Sequence, residues 1–400
     1  MIVRNCKIKV EWLLILLLFF SLFKFSYIPG SLRQAIKIIS LLIIFLFLLK
    51  KIPSKKLFNI SLVFPTCVML SGIVSYCQGG NTLRSLLESL LYSLLFYDGY
   101  TLVLYFKIRN RYSYFLKSLY GVVGFFVAIN IVTILVFGAD GNMEPIYLLG
   151  NKFISSYMMI FLTSLYGATH DMESQINRVK YYSLIVISII LCLYMRSITA
   201  LIGLLFVLFS SLYKNIISKI ITSPKVLMVS MIASAGVIFV FDYLLNIPTI
   251  NYLVFSFFGK SISIFGRQVI YNKYLKQLLI GERLWIGSGY NNSAILMMSG
   301  GVFGNAQNGL MEHFVAYGIL GVLAILFTSY YCLKKVKINA HSYYILLTVY
   351  AMIIAATVEV TINWFFFISL FMIANSDGKN IHFKFNRRVY EDRYFINATD

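Results

Sequence analysis

Apolar residues fill long continuous blocks along almost all of the 400-residue chain, and short polar connections separate them. One long polar stretch, roughly Asn246 to Asn308, interrupts this pattern. A helix needs about 20 apolar residues, within a range of about 17 to 25, to cross a bilayer core. By that measure twelve segments are predicted as spanning helices: Trp12–Ile28, Ala35–Leu49, Leu57–Tyr76, Leu83–Phe106, Leu116–Phe137, Phe153–Ala168, Tyr181–Met195, Ile198–Tyr213, Val226–Leu245, Leu310–Leu333, Tyr343–Val358 and Ile362–Ala374. The second, seventh and last two are short for the task. The blocks do not alternate with period two, which excludes a membrane β-barrel. The expected architecture is all-α: nine spans in 1–245, an outer loop in 246–309, three spans in 310–375 and a polar tail in 376–400.

Composition strengthens this reading. Hydrophobic residues make up 59% of the chain, charged residues only 12%, and the mean hydropathy is +0.80. A soluble domain carries about 25% charged residues. The net charge of +20 does not point to nucleic acid, because membrane proteins collect Lys and Arg in cytoplasmic loops. Five unpaired-looking cysteines and four scattered histidines give neither a disulfide framework nor a metal site, so no metal and no cofactor is expected. The basic N-terminus followed by Trp12–Phe23, without a small-residue cleavage site, reads as a retained first helix. The two halves show no internal repeat of the kind many transporters carry.

Charge sets the expected topology. With the N-terminus in the cytoplasm, 24 of the 35 Lys and Arg fall on cytoplasmic positions, and the C-terminal tail is cytoplasmic too. The Asn246–Asn308 loop then lies outside, yet it holds Lys260, Arg267, Lys273, Lys276 and Arg283. Cations kept outside against that bias call for an anion to bind.

Within the loop, Gly266–Ile280 has the spacing of an amphipathic helix lying on the outer surface, with Ile270, Tyr271, Tyr274, Leu275 and Leu278 on one face. Arg267 falls on that apolar face. Either it meets an anionic group such as a phosphate, or it snorkels to lipid headgroups. In Gly281–Tyr290, Arg283 precedes Trp285 and Gly287-Ser288-Gly289, a turn that either admits a ligand to backbone N–H groups or is an ordinary loop. Gln307-Asn308 opens a helix whose first turn carries Glu312 and His313. Here His313 is a candidate base or a structural residue. Arg196, in a very short outer connection, is a candidate ligand contact, and Lys152 is a weaker one of the same kind. Acidic residues inside a membrane are expensive. Glu88 and Asp98 are read as functional or as a structural ion pair, and Glu359 as a base or a partner for an arginine.

Taken in order, several pieces resemble a known family. They are Gly150-Asn151-Lys152, Arg196-Ser197-Ile198-Thr199-Ala200-Leu201, Gly266-Arg267, and Trp285 with Gly287 and Gly289. Asn308 with Leu310, Tyr317-Gly318-Ile319-Leu320-Gly321, and Glu359 before an aromatic last helix complete the set. The chain resembles the O-antigen polymerase and ligase superfamily of bacterial surface-polysaccharide assembly, well in its second half and by helix count in its first. The resemblance implies a GT-C-like, metal-independent glycosyltransferase of the bacterial inner membrane. Its donor would be an undecaprenyl-pyrophosphate-linked oligosaccharide at the outer face, with a chain-length regulator and a flippase as further partners. It implies that Arg196, Arg267 and Arg283 bind pyrophosphate, with Lys152, Gln307 and Asn308 as further substrate contacts. The family often has His-Asn where this chain has Gln307-Asn308, so the basic role passes to His313, Glu312 or Glu359.

Overall fold

A computed structural model describes residues 10–23, 25–53, 60–78, 82–138, 147–245, 283–290, 305–334 and 339–376, with a few isolated positions besides. Among them the chain is all-helical, and its only β-type pairing is the isolated Tyr147–Gly150 bridge. The helices are α1 (Val10–Leu22), α2 (Gly30–Lys51), α3 (Val63–Cys77, entered by a 3₁₀ turn at Ile60–Leu62), α4 (Leu83–Ile108), α5 (Tyr112–Phe137), α6 (Lys152–Thr169) and α7 (Gln175–Tyr194). They continue as α8 (Ile198–Leu212), α9 (Lys214–Ile221), α10 (Pro224–Leu245), α11 (Gly309–Lys334), α12 (Ala340–Ala355) and α13 (Trp364–Asn375). Each predicted apolar segment coincides with a helix, and only the short α9 was not anticipated. Judged by length and apolarity, α2, α5, α7 and α11 can each cross a membrane, and α8 with α9, bent by 114°, makes a fifth if counted as one span. The protein therefore has the character of a multi-pass membrane protein. The predicted 246–280 stretch, with its amphipathic helix and Arg267, and the tail beyond 376 lie outside the described residues.

Polar residues punctuate the helices where backbone donors would otherwise be orphaned. The Asn151 side chain caps α6 through the Ile154 N–H, Asn339 caps α12 through Ser342, and Asn363 caps α13 through Phe365. Gly138, at φ 68°, ends α5.

Helices α6, α12 and α13 form the centre. α6 is buried from Ser155 to Thr169 and α13 from Phe365 to Asn375, while α12 packs on α6, α8 and α13. The outer helices keep apolar residues outward: Phe125 and Val136 on α5 are 61% and 70% exposed. That reversal of a soluble surface fits a lipid surround. Beneath the site an aromatic cluster ties α3, α4, α11 and α13 together. Phe64 stacks on Phe367 at 4.9 Å, and Phe96 meets Phe367 edge-on at 4.5 Å. Alternate connections meet at the same end of the bundle. The end carrying residues 147–151, 195–197, 283–290, 305–308 and 356–363 is termed the outer end, after the charge-based expectation.

Candidate functional site

The site is organised by the first half of α11. Gly318 has φ 65° and ψ −164°, so the helix kinks there and leaves carbonyls without helical partners. Residues 283–290 dock into the kink. The Ile319 and Leu320 N–H groups donate to Leu284 O and Trp285 O at 3.0 and 3.1 Å, and the Ser288 and Gly289 N–H groups donate to Val315 O and Ala316 O at 2.9 Å. The two backbones are so close that a β-carbon on Gly287 would strike Ala316 and Tyr317, and one on Gly318 would strike Trp285. The glycines of this turn therefore serve close approach to α11. Their N–H groups are spent on the protein, Gly287's on Arg283 O, which departs from the ligand-cradle reading.

Helix α3 completes this joint with small polar residues at four-residue spacing, which places them on one face. Ser71 Oγ donates to Ala316 O at 2.8 Å, Ser75 Oγ to Ser288 O at 2.5 Å, and Cys67 Sγ approaches Leu320 O at 3.9 Å. Sequence reasoning missed this ladder. Its signal was present in the Cys67, Ser71, Ser75 periodicity inside an otherwise apolar helix.

At the start of α11, Asn308 is a fully engaged hub. Its Oδ1 caps the Leu310 and Met311 N–H groups, and its Nδ2 donates to Ser234 O and Thr357 O, joining α10, α11 and the α12–α13 connection. It is fully buried and has no side-chain capacity left for a substrate, so it acts by positioning α11 rather than as the expected contact. His313 is likewise enclosed, 4% exposed, with Nε2 at 2.5 Å from Ile362 O and rings of Phe64, Tyr317 and Phe367 around it. That environment is structural, and the basic role expected of it would need the ring to leave this pocket. Gln307 precedes the hub at φ 52° and is half-buried.

A basic rim lies at the outer ends of α6 and α7. Arg196 is exposed and holds φ 54° at the end of α7, where Ser197 N–H donates to Cys192 O and Arg196 N–H to Leu193 O. This is the paired closure of a Schellman turn, whose left-handed position usually takes glycine. At the opposite end of the bundle Asn110 fills the same position after α4, with Arg111 N–H on Phe106 O and Asn110 N–H on Lys107 O. Asparagine tolerates that conformation, whereas an arginine there costs about 1–2 kcal/mol. Below Arg196, Thr199 on α8 and Tyr157 on α6 share a hydrogen bond at 3.2 Å, and Glu359 acts electrostatically on Tyr157. Ser197, 1% exposed, leaves its Oγ without a partner among the described residues. Lys152 starts α6 at the same end, its ammonium 5.3 Å from the Phe153 ring. The fold thus brings Arg196, Lys152 and Glu359 to one region.

Around the first half of α11 gathers an acidic, aromatic cluster that sequence reasoning did not assemble. Glu312 Oε2 accepts the Ala306 N–H at 2.7 Å and lies within electrostatic reach of Tyr92, Tyr290 and Tyr317. Tyr92 and Tyr290 pack at 4.7 Å between ring centroids. Glu88, one turn before Tyr92 on α4, pairs with Arg84 at 3.2 Å and also acts on Tyr290. Burial, then the charges of Glu88 and Glu312, push the Tyr290 hydroxyl up to about 12. Arg283 is half-buried at the start of the docked segment. Asp98, deeper in α4, makes no ion pair: it is fully buried, and neither carboxyl oxygen has a hydrogen-bond partner among the described residues. Alongside the kinked helix runs an apolar groove of about 700 Å³ lined by Val63, Cys67, Met228, Leu320, Leu323 and Phe327, among others.

No family model matches the chain, and no curated protein matches it.

Proposed function

We propose that this protein is a glycosyltransferase of the bacterial inner membrane, with a GT-C-like arrangement of twelve spans and cytoplasmic termini. It polymerises oligosaccharide repeat units carried on undecaprenyl pyrophosphate at the outer face. The observation that carries the reading is that the outer end holds an exposed cation, Arg196 after α7, apart from a carboxylate, Glu312 in the first turn of α11. Such a division suits two substrates of unlike charge. The lipid-linked chain presents a pyrophosphate, which Arg196 and Lys152 on the rim would bind, with Arg283 reaching from the docked segment and Arg267 from the outer loop. The apolar groove beside α11 suits an isoprenoid tail.

The reaction follows from charge. The acceptor hydroxyl attacks the anomeric carbon of the donor sugar and forms the new C–O bond. The bond from that carbon to the pyrophosphate oxygen breaks, and its electron pair leaves with the pyrophosphate. The cations stabilise the charge that gathers there in the transition state. Glu312 takes the acceptor proton, since His313 is spent on Ile362 O and Glu359 sits with the rim. Only the protein's own groups take part in this scheme.

The test is a gel profile of surface polysaccharide from a strain deleted for the gene. Collapse of the ladder to one repeat unit is expected. Long glycan stranded on the lipid carrier would assign the ligase activity of the same superfamily instead. An unchanged profile would sink both, and leave a flippase or transporter to be considered.

A further inference from the structure

At the end of the bundle opposite Arg196, helix α9 leaves α8 at a bend of 114°. A helix turned so far from an apolar neighbour runs along a membrane surface rather than through it. Its residues divide accordingly. Ile216 and Ile220, four apart on one face, are 65% and 54% exposed. Asn215 and Lys219, likewise four apart, are exposed on the adjoining face. Ile221 is buried and Ile217 half-buried on the side turned to the protein. Leu212 and Tyr213, at the bend, are exposed as well.

The bend is tied to α12 on both sides. The Tyr343 hydroxyl donates to Ser210 O at 2.7 Å, and the Tyr350 hydroxyl donates to Ile221 O at 2.9 Å. Lys214 lies over the Tyr343 and Tyr344 rings at 5.5 and 5.1 Å, and Glu173 acts on it electrostatically. Lys214 is thus engaged by the protein. Lys219 and Lys225 are exposed and form no ion pair among the described residues, and 214–225 contains no Asp or Glu. An exposed apolar strip bordered by free cations fits a ligand with an anionic head and an apolar body. A soluble phosphate would meet the lysines and leave the isoleucines bare. A zwitterionic lipid would cover the isoleucines, but its own cation offsets its phosphate.

We propose that α9 and the first turn of α10 form a binding site for an anionic phospholipid of the leaflet away from Arg196. Lys219 and Lys225 hold its phosphate, and its acyl chains cover Ile216 and Ile220. Because α12 fixes the bend, the site is formed before the lipid arrives. The site is independent of the glycosyltransferase reading and requires only that the chain lies in a membrane.

The test titrates the full-length protein, in detergent micelles, with phosphatidylglycerol or with phosphatidylcholine of the same acyl chains, and counts bound lipid by native mass spectrometry. Saturable binding is expected, with phosphatidylglycerol preferred about 25-fold. Lys219→Gln and Lys225→Gln should each weaken phosphatidylglycerol about fivefold, which converts to about 1 kcal/mol per lysine, and leave phosphatidylcholine unchanged. Both lysines are exposed, so neither variant should disturb folding. Lys50→Gln, exposed at the same end on α2, should have no effect. Equal affinity for the two lipids would overturn the proposal and leave only a greasy face. A loss as large in Lys50→Gln would overturn it too, in favour of diffuse charge. So would displacement of the lipid by soluble glycerol phosphate, which would mark a site for free anions.

Discussion

The two regions of the outer end solve opposite problems. The basic rim keeps an arginine in a conformation that favours glycine, and so carries backbone strain at an exposed cation. The acidic cluster lies where α11 breaks its helical geometry at Gly318, and there the docked segment satisfies the freed backbone groups. Asn110 is a control within the same molecule: the same turn at the other end of the bundle is filled by a residue that suits it. Strain at Arg196 is thus not a demand of the turn itself. That strain falls at the outer end, as it would if that end were selected for binding rather than stability.

The most severe way to break the comparison is Gly318→Ala. The new β-carbon would meet the Trp285 backbone, and φ 65° would be strained besides. Undocking of 283–290 should abolish the cluster and with it all polymer, at a cost of about 3 kcal/mol or more. Thermal unfolding and the polysaccharide ladder would both register it, and a variant with native stability would show the backbone contact to be wrong.

Next comes Arg196→Gly, which should separate stability from activity. Relief of the left-handed strain should raise stability by about 1 kcal/mol, less the entropy that glycine adds to the unfolded chain. Loss of the guanidinium should cut chain formation on the order of 100-fold. An active Arg196→Gly protein would remove the rim from the proposed mechanism.

Asn308→Ala should cost about 2 kcal/mol, through the lost cap and the two lost carbonyl contacts, and should slow both halves of the reaction together. A variant impaired in oligosaccharide binding alone would show that Asn308 does not hold the two regions in common. Smaller still, Ser75→Ala should cost about 0.6 kcal/mol, the size of a side-chain hydrogen bond inside a membrane protein, and should loosen only the docked segment.

The mildest test is pH. The folded Tyr290 hydroxyl is raised above its ordinary value of about 10 to about 12. Its proton-bound contribution is therefore fully present below about pH 10 and is lost as pH rises towards about 12. Oligosaccharide affinity should stay level from about pH 7 to about pH 9, as far as Tyr290 governs it. A fall within that range would place an ionised Tyr290 in the cluster.

Much of the frame was legible beforehand. Twelve apolar blocks, read by length, coincide with helices because burying backbone in an apolar surround leaves few alternatives to satisfying it within the helix. Boundaries slipped where local chemistry intervened. Within the segment expected from Leu57, a 3₁₀ turn at Ile60–Leu62 precedes α3 at Val63, and the first stops at Leu22. The site was less legible. Gly287, Gly289 and Gly318 stood out as glycines, but nothing local revealed that they face one another. Tyr92 and Tyr290, which pack together, stand 198 residues apart in the chain, and nothing near either one signals the other.

By itself, then, the sequence determined the helical, membrane-compatible class and the order of the apolar elements. Those properties depend on composition and periodicity, which are local and additive. Only the tertiary structure decided that Asn308 and His313 are spent inside the protein, that the Gly287 turn serves α11, and that glutamates and tyrosines from three elements share one cluster. These outcomes depend on which groups meet across the bundle, and a hydrogen-bond partner supplied by a distant helix leaves no trace in the spacing of its neighbours.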